Sequence, residues 1–241
     1  MPPDEAGLPF EEIWLETVDN VKLHSWLFVK KKEFPTVLFL HGNAGNIGHR
    51  LDNLKGLLDN CNLNVFIVEY RGYGKSDGVP NEPGVKCDTQ AAYEYLLQCD
   101  QIDSSKILIF GRSLGGCLAA YLAATNADDK NLKGIILENT FTSIKDLAYH
   151  ILPITKYVQF LFRLKLDALS MVPNTTVPIL FLSGQKDHLV KPEMMTQLYK
   201  KAPFNKNTKI MRFKDGTHNE MPYLNGYYPT LNKWIHELDL K

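Results

Sequence analysis

The chain has 241 residues, of which 44% are hydrophobic and 22% are charged, and these proportions are ordinary for a soluble globular protein. They exclude disordered and fibrous classes. The 27 basic and 27 acidic side chains balance, so the net charge gives no electrostatic reason to expect nucleic acid as a partner. A chain of this length can bury a substantial core, and we predict a single domain spanning residues 1–241.

The N-terminal segment has the pattern of neither a signal peptide nor a transit peptide, and no apolar run reaches the length of about 20 residues that a membrane helix needs. We therefore expect a soluble, cytoplasmic protein from the sequence as given. The cysteines show neither metal-ligand nor Cys-x-x-Cys spacing, which favours free thiols in a reducing compartment. These cysteines are Cys61, Cys87, Cys99 and Cys117.

Hydrophobic patterning predicts an N-terminal hairpin followed by alternating strands and helices. Residues 12–17 and 21–30 alternate apolar and polar side chains around a turn, which indicates an antiparallel pair. Nearly continuous apolar runs then predict buried strands at 36–40, 64–68, 106–110, 134–137 and 178–182, and a last strand is predicted at 209–213. Helical patterns lie near residues 50–61, 88–99, 114–125, 192–201 and 227–238. We predict an α/β fold with a mostly parallel central sheet and helices on both faces.

Residues 141–174 interrupt this alternation, because no strand is predicted there. The segment contains apolar residues interspersed with basic ones, among them Leu152, Ile154, Tyr157, Phe160 and Leu161. Long connections in compact domains often form lids or binding loops, while an amphipathic helix pair packed on the core is a nearly equal alternative. If the segment is a small helical lid, we expect Leu152, Tyr157 and Phe160 to contact an acyl chain of the substrate.

Residues 111–115 read Gly-Arg-Ser-Leu-Gly and stand between a buried strand and a helix of small residues. The pattern Gly-x-Ser-x-Gly is weak alone, but in this context it is typical of a nucleophile elbow. Such a turn presents a serine hydroxyl to a base and to backbone N–H groups. We predict Ser113 as the nucleophile and the Leu114 N–H as an oxyanion donor. Cys117, on the same helix, is an alternative nucleophile by its position, but its place on an apolar helix face favours an inert core thiol.

A serine nucleophile needs a histidine base and a carboxylate that orients the base. In this class of fold the three follow in the order serine, acid, histidine. Asp187 and His218 each follow a predicted strand, so both are expected at the carboxyl edge of the sheet. Glu138, directly after another strand, is the alternative acid. Asp215 is close to His218 in sequence, but at that spacing a carboxylate more often caps its own loop.

The loop at residues 41–46 is the candidate for the second oxyanion donor. Its small residues let the backbone approach a reacting carbonyl, and the Asn43 N–H is the first choice, with Ala44 next. The glycines of this region do not match the Gly-x-Gly-x-x-Gly pattern and no Gly-Lys-Ser/Thr follows, so a phosphate-binding loop is not expected.

Four motifs together resemble the bud-emergence (BEM) branch of the α/β-hydrolases, which is related to the α/β-hydrolase-domain proteins. They are His-Gly-Asn-Ala-Gly-Asn-Ile-Gly at 41–48, Tyr-Arg-Gly-Tyr-Gly-Lys-Ser at 70–76, Gly-Arg-Ser-Leu-Gly-Gly at 111–116 and Asp-Gly-Thr-His-Asn at 215–219. The resemblance runs from about residue 7 to about residue 238. It implies an α/β-hydrolase fold and a triad at Ser113, Asp187 and His218, in agreement with the assignment from the residues. The motifs are specific for fold and triad but not for substrate.

These observations predict a serine hydrolase that cleaves a carboxylic ester or acyl thioester through an acyl-enzyme, without metal or organic cofactor. Related hydrolases include protein depalmitoylases, so an acylated protein is a candidate substrate beside small molecules, by analogy only. Members of the branch commonly carry an N-terminal membrane anchor before the segment matching residues 7–9. We therefore expect either a shortened form of a protein that associates with a membrane through such an anchor, or a soluble member of the branch. A peptidase or amidase on the same triad and a non-catalytic binding relative are the alternatives.

Overall fold

A computed structural model describes residues 3–152, 155, 165–238 and 240 of the chain. Within these residues, one eight-stranded sheet forms the centre of the fold. The strands are β1 (Glu11–Glu16), β2 (Lys22–Phe28), β3 (Thr36–Leu40), β4 (Asn64–Val68), β5 (Ile107–Arg112), β6 (Leu132–Glu138), β7 (Ile179–Gly184) and β8 (Lys209–Phe213). They lie side by side in the order β1-β2-β4-β3-β5-β6-β7-β8.

Strand directions follow the predicted class. Strand β2 is antiparallel to both β1 and β4, whereas all pairs from β4 to β8 are parallel. Every residue of β3 and β4 is buried, which explains why apolar residues run through these strands without alternation. The predicted α/β fold, with its antiparallel N-terminal pair and mostly parallel sheet, is confirmed.

Helices cover both faces of the sheet. They are α1 (Leu51–Cys61), α2 (Glu82–Gln98), α3 (Leu114–Thr125), α4 (Ile144–Ile151), α5 (Ala168–Met171), α6 (Pro192–Lys201) and α7 (Tyr227–Glu237), with short 3₁₀ helices at Pro3–Ala6, Ile47–Arg50, Val172–Asn174 and Met221–Tyr223. Neighbouring side chains of β3 belong to two separate cores. Leu38 belongs to the core that includes Leu118 of α3, and Phe39 to the core that includes Trp234 of α7. This alternation follows from the two-residue period of a strand.

Helix α2 begins six residues before its predicted start at residue 88. The side chain of Asn81 accepts a hydrogen bond from the Gly84 N–H at 2.9 Å, and Pro83 occupies the first turn. Both are helix-start signals that hydrophobic periodicity does not register. Helix α2 is in contact with β1.

The described part of residues 141–174 contains α4, α5 and a 3₁₀ helix. An isolated bridge joins Ser143, the residue before α4, to Asp167, the residue before α5. Tyr157 and Phe160, predicted to contact an acyl chain, lie outside the described residues. A lid at this position and a single domain over the whole chain stay predictions. No helix built from the described residues has the length and apolar composition that crossing a membrane requires.

Candidate active site

Ser113 is the single residue between the end of β5 and the start of α3. Its backbone has φ of 54° and ψ of −114°, a conformation that costs a non-glycine residue about 1–3 kcal/mol. Two hydrogen bonds hold it: the Ser113 N–H donates to the carbonyl of Glu138 at 2.9 Å, and the Gly116 N–H donates to the Ser113 carbonyl at 3.0 Å. The neighbouring strand β6 and the first turn of α3 therefore fix the serine at the tip of a sharp turn.

The glycines on either side of Ser113 are required by close backbone approach. A Cβ atom at Gly111 would lie 2.3 Å from the carbonyl oxygen of Gly115, and one at Gly115 would lie 1.9 Å from that of Leu40. Both contacts are with backbone atoms, which cannot rotate away as a side chain could. The Gly-x-Ser-x-Gly spacing is thus the steric condition for packing α3 against β3 and β5.

His218 and Asp187 form a hydrogen-bonded pair, with 2.7 Å between Nδ1 of the histidine and Oδ2 of the aspartate. Asp187 is buried, and its other oxygen, Oδ1, accepts the N–H groups of Leu189 at 2.9 Å and Val190 at 2.8 Å. The carboxylate is therefore fixed in orientation and directs the histidine through Nδ1. Ser113 and His218 line the same cleft, which has a volume of about 640 Å³.

The other two carboxylates considered from the sequence have different partners. Glu138 is fully buried, its Oε1 lies 3.3 Å from Nε of Arg112, and its Oε2 accepts the Tyr227 hydroxyl. Burial raises the pKa of Glu138. Asp215 is exposed and pairs with a surface lysine at 2.6 Å. Among the described residues, only Asp187 is in ion-pair contact with the His218 ring.

Arg112, the residue before Ser113, is hydrogen-bonded to the loop that contains His218. This contact was not predicted from the sequence. Its Nη2 donates to the main-chain carbonyl of His218 at 2.7 Å and to Oδ1 of Asn219 at 2.6 Å. Glu138 compensates the charge of the guanidinium through its contact with Nε. The available signal was a pair of opposite charges, Arg112 and Glu138, at the carboxyl ends of two adjacent predicted strands.

Asn139 makes a second connection between the loops. Its Nδ2 donates to the Thr217 carbonyl at 3.0 Å, and its Oδ1 accepts the Gly184 N–H at 2.9 Å. Asn139 itself has φ of 43°, in the left-handed region that asparagine tolerates better than most residues. One side chain therefore joins the end of β7, which leads to Asp187, to the residue before His218.

The loop at residues 41–47 is supported by the segment that follows β4. The Tyr70 hydroxyl donates to the His41 carbonyl at 2.9 Å, the Tyr73 hydroxyl contacts Oδ1 of Asn43 at 2.5 Å, and Glu69 accepts the Ile47 N–H at 3.0 Å. The motif at 70–76 thus has a structural role: its two tyrosines hold the loop that carries the predicted oxyanion donor.

This loop lies directly against Ser113. A Cβ atom at Gly42 would be 3.5 Å from Cβ of Ser113, so the loop backbone and the serine are in van der Waals reach. Asn43 and Ala44 line the cleft together with Ser113. Leu114 is the first residue of α3, where N–H groups have no carbonyl partner within the helix and the helix dipole favours negative charge.

Polar side chains dominate the described lining of the cleft. Besides the residues already named, they are His49, Arg50, Asp52, Asn53 and Tyr223, whereas Leu189 and Pro222 are apolar. Leu152, predicted to contact substrate, is 56% exposed at the end of α4 and is not part of the described lining. The structure therefore brings together Asn43, Ser113 and His218 but does not bring Leu152 to them.

Comparisons with known proteins agree on the family. The protein-family model described as the alpha/beta hydrolase fold matches residues 35–164 of this chain. The chain is 39% identical over 231 residues to the alpha/beta hydrolase domain-containing protein WAV2 of Arabidopsis thaliana, covering 90% of this chain and 74% of WAV2. It is 38% identical over 246 residues to protein bem46 of Schizosaccharomyces pombe, covering 99% of this chain and 80% of bem46. The esterase Pf2001 of Pyrococcus furiosus has a similar structure, with a TM-score of 0.81 at 18% identity over 99% of this chain and 94% of the esterase. The chain therefore belongs to the α/β-hydrolase family, in the branch that includes bem46 and WAV2.

Proposed function

We propose that this α/β-hydrolase is a serine hydrolase that cleaves carboxylic esters or acyl thioesters through an acyl-enzyme. One observation carries the proposal: His218, hydrogen-bonded to Asp187 at 2.7 Å, lines the same cleft as a serine held in a strained turn between strand and helix. A base oriented by a buried carboxylate, in the same cleft as a serine hydroxyl, is the arrangement that activates serine.

In the first half of the reaction, Oγ of Ser113 attacks the carbonyl carbon while Nε2 of His218 takes the hydroxyl proton. Asp187 stabilises the imidazolium that forms, because its Oδ2 accepts the hydrogen bond from Nδ1. The tetrahedral intermediate then collapses, and His218 returns the proton to the alcohol or thiol that leaves. The acyl group remains on Ser113 as an ester.

In the second half, a water molecule gives a proton to Nε2 of His218 and attacks the acyl carbonyl. Collapse of this second intermediate breaks the bond to Oγ, and the proton returns to Ser113 as the carboxylic acid leaves. The negative oxygen of both intermediates is stabilised by the N–H groups of Leu114 and Asn43 in this proposal. The position of Leu114 at the N-terminus of a 12-residue helix supports its part, since that helix end favours negative charge.

A peptidase or amidase would use the same groups, and a non-catalytic relative would use none of them. The Pyrococcus furiosus protein of similar structure is named as an esterase, which favours ester cleavage as the reaction class. To test the proposal, the purified protein is treated with a fluorophosphonate probe and assayed on matched p-nitrophenyl esters and p-nitroanilides. We expect labelling on the peptide that contains Ser113 and faster turnover of the ester. Absence of labelling and of turnover would favour the binding relative instead.

The small number of aliphatic side chains in the described lining of the cleft favours short acyl groups over the palmitoyl group of an acylated protein. A long aliphatic chain gains binding free energy by burying apolar surface, and the aliphatic side chains of the described lining are only Ala44, Leu189 and Pro222. We expect kcat/KM to be highest for acetyl and butyryl p-nitrophenyl esters and to fall at octanoyl and beyond. A maximum at octanoyl or palmitoyl would instead indicate a long-chain site that includes Tyr157 and Phe160.

Replacing Arg112 by methionine is expected to lower kcat by about 10- to 100-fold, with a smaller change in KM. The variant loses the hydrogen bond from Arg112 to the His218 carbonyl, and a small misplacement of a catalytic group has an effect of that size. Lysine at this position keeps the charge but not the planar fork of donors, so we expect an intermediate kcat. Steady-state kinetics on a p-nitrophenyl ester give both constants. Arg212, which is exposed on β8, provides the matched control as Arg212→Met. An unchanged kcat in Arg112→Met would show that the contact does not position the histidine.

A further inference from the structure

Arg50 stands at the junction of a 3₁₀ helix and α1 and lines the cleft that contains Ser113. Its Nη2 donates to the carbonyl of Ala44 at 2.6 Å. Ala44 follows Asn43, whose N–H is the proposed oxyanion donor. The guanidinium is therefore tied to the same loop that approaches the reacting carbonyl.

Arg50 differs from the buried arginines of this chain in having no carboxylate partner among the described residues. Arg71 pairs with Asp19 and Asp88, and Arg112 pairs with Glu138. No ion pair of Arg50 occurs in the described part of the chain, and its Nε is buried without a hydrogen-bond acceptor there. A guanidinium stays charged at neutral pH, so within the described chain this cation has no carboxylate in direct contact and is attracted only by Glu69, from beyond ion-pair distance.

The surroundings of Arg50 disfavour its positive charge. Burial is the main cause that lowers its pKa, repulsion from Arg112, which lines the same cleft, is the next, and the attraction to Glu69 only partly opposes them. Asp52 also lines the cleft, but it is exposed, contacts the Tyr223 hydroxyl at 3.4 Å and is not in an ion pair with Arg50. A partly desolvated cation without a carboxylate in direct contact is stabilised further when an anion from outside the chain binds it.

A second N–H donor without a partner lies on the same face of the helix. Asn53 is three residues after Arg50, which places the two side chains side by side. Asn53 is buried, and its Nδ2 has no acceptor among the described residues. Its Oδ1 accepts the Tyr228 hydroxyl at 3.3 Å, which orients the amide. Both N–H groups are buried beneath this wall of the cleft, and neither has an acceptor among the described residues.

We propose that Arg50 binds an anionic group of the substrate, a carboxylate or phosphate, while Ser113 attacks the ester bond. This inference rests on the proposed function and narrows its substrate class to esters or thioesters that carry a negative charge. The guanidinium offers donors in a planar fork, which suits the paired oxygens of either anion. In the occupied site the anion would also offset the repulsion between Arg50 and Arg112.

Paired substrates test the inference. One pair places the charge on the acyl side, as mono-p-nitrophenyl glutarate and its neutral methyl ester. The other places it on the leaving group, as p-carboxyphenyl acetate and its neutral methyl ester. For each pair the ratio of kcat/KM, anionic over neutral, is measured at about 0.15 M salt for the wild type and for Arg50→Gln and Arg50→Lys. Dividing a variant's ratio by the wild-type ratio cancels the intrinsic reactivity of the esters.

We expect the ratio of kcat/KM for the anionic ester to that for the neutral ester to be about tenfold lower or more in Arg50→Gln than in the wild type, in at least one pair of substrates. A fall of this size follows from the loss of a charge-assisted hydrogen bond. Arg50→Lys is expected to lower the ratio less, because the charge is kept. Lys55 lies on the same helix, is half exposed and pairs with Asp59, so Lys55→Gln removes a positive charge outside the cleft and should leave the ratio unchanged. An equal fall in Lys55→Gln would indicate a general charge effect and overturn the proposal.

A ratio in Arg50→Gln within about twofold of the wild type in both pairs would also overturn the proposal, while continued turnover of the neutral esters would leave the serine mechanism intact. Absence of turnover of all four esters, together with absence of fluorophosphonate labelling, would contradict the proposed function and the inference with it. If Arg50→Gln does not fold, the same comparison is made with Arg50→Lys, where the fall in the ratio is expected to be smaller but present.

Discussion

Replacement of Ser113 by alanine is expected to reduce kcat/KM for a p-nitrophenyl ester by at least about 10⁴-fold, because the acyl-enzyme can no longer form. The backbone turn itself should survive, since the hydrogen bonds that hold it use the N–H and carbonyl of residue 113 and not its hydroxyl. The measurements are initial rates and fluorophosphonate labelling, with circular dichroism to confirm that the variant is folded. Both activity and labelling should be lost.

The matched control for this variant is Cys117→Ala, which removes the rival nucleophile on the same helix. Cys117 is buried, its Sγ lies 3.5 Å from the Phe141 carbonyl, and burial raises the pKa of its thiol. A thiol in such surroundings is a poor nucleophile. We expect Cys117→Ala to keep both activity and labelling. Labelling that persists in Ser113→Ala and disappears in Cys117→Ala would reverse the assignment of the nucleophile.

Several elements of this fold could be predicted closely from the sequence. The predicted bounds of β3, β4 and β8 and those of α3 and α6 agree with the structure. Strands β3 and β4 are wholly buried, so continuous apolar runs mark them in the sequence. The start of α2 was missed because it depends on one hydrogen bond, from the Gly84 N–H to the side chain of Asn81, rather than on the distribution of apolar residues.

The candidate site was predictable where it depends on topology and unpredictable where it depends on side-chain direction. Asp187 and His218 follow adjacent strands, so the carboxyl edge of the sheet brings their loops together, and their side chains are in contact. Their catalytic roles stay predictions. The contact between Arg112 and His218 joins residues 106 positions apart, and neither sequence period nor spacing indicates which way that guanidinium turns.

The loop at residues 41–46 was likewise predictable in part. The small residues at 41–46 indicate a close backbone approach, and the loop does lie against Ser113. The tyrosines that support it, Tyr70 and Tyr73, stand in a motif that the sequence linked only to family resemblance. Arg50 gave no signal in the sequence, because a cation without a carboxylate in direct contact is recognised only when the positions of the carboxylates are known.

Replacement of Asp187 by asparagine is expected to lower kcat by about 10⁴-fold, as the loss of the correct histidine tautomer does in serine hydrolases with this arrangement. The N–H groups of Leu189 and Val190 donate to Oδ1 of Asp187, so in the variant the amide oxygen will stay with them. The amide nitrogen, a donor, will then face Nδ1 of His218. That forces the imidazole proton onto Nε2, which can no longer accept the proton of Ser113.

Glu138→Gln is the matched control, because Glu138 was the alternative acid. Its carboxylate faces Arg112 and Tyr227, not the imidazole, so we expect a loss of kcat of no more than about tenfold, through weaker support of Arg112. The two variants are compared by kcat on one ester, with thermal unfolding to detect the destabilisation that an unpaired, buried Arg112 would cause. A large loss in Glu138→Gln with near-normal kcat in Asp187→Asn would make Glu138 the catalytic acid. The 2.7 Å contact between Asp187 and His218 would then serve only the structure of the two loops.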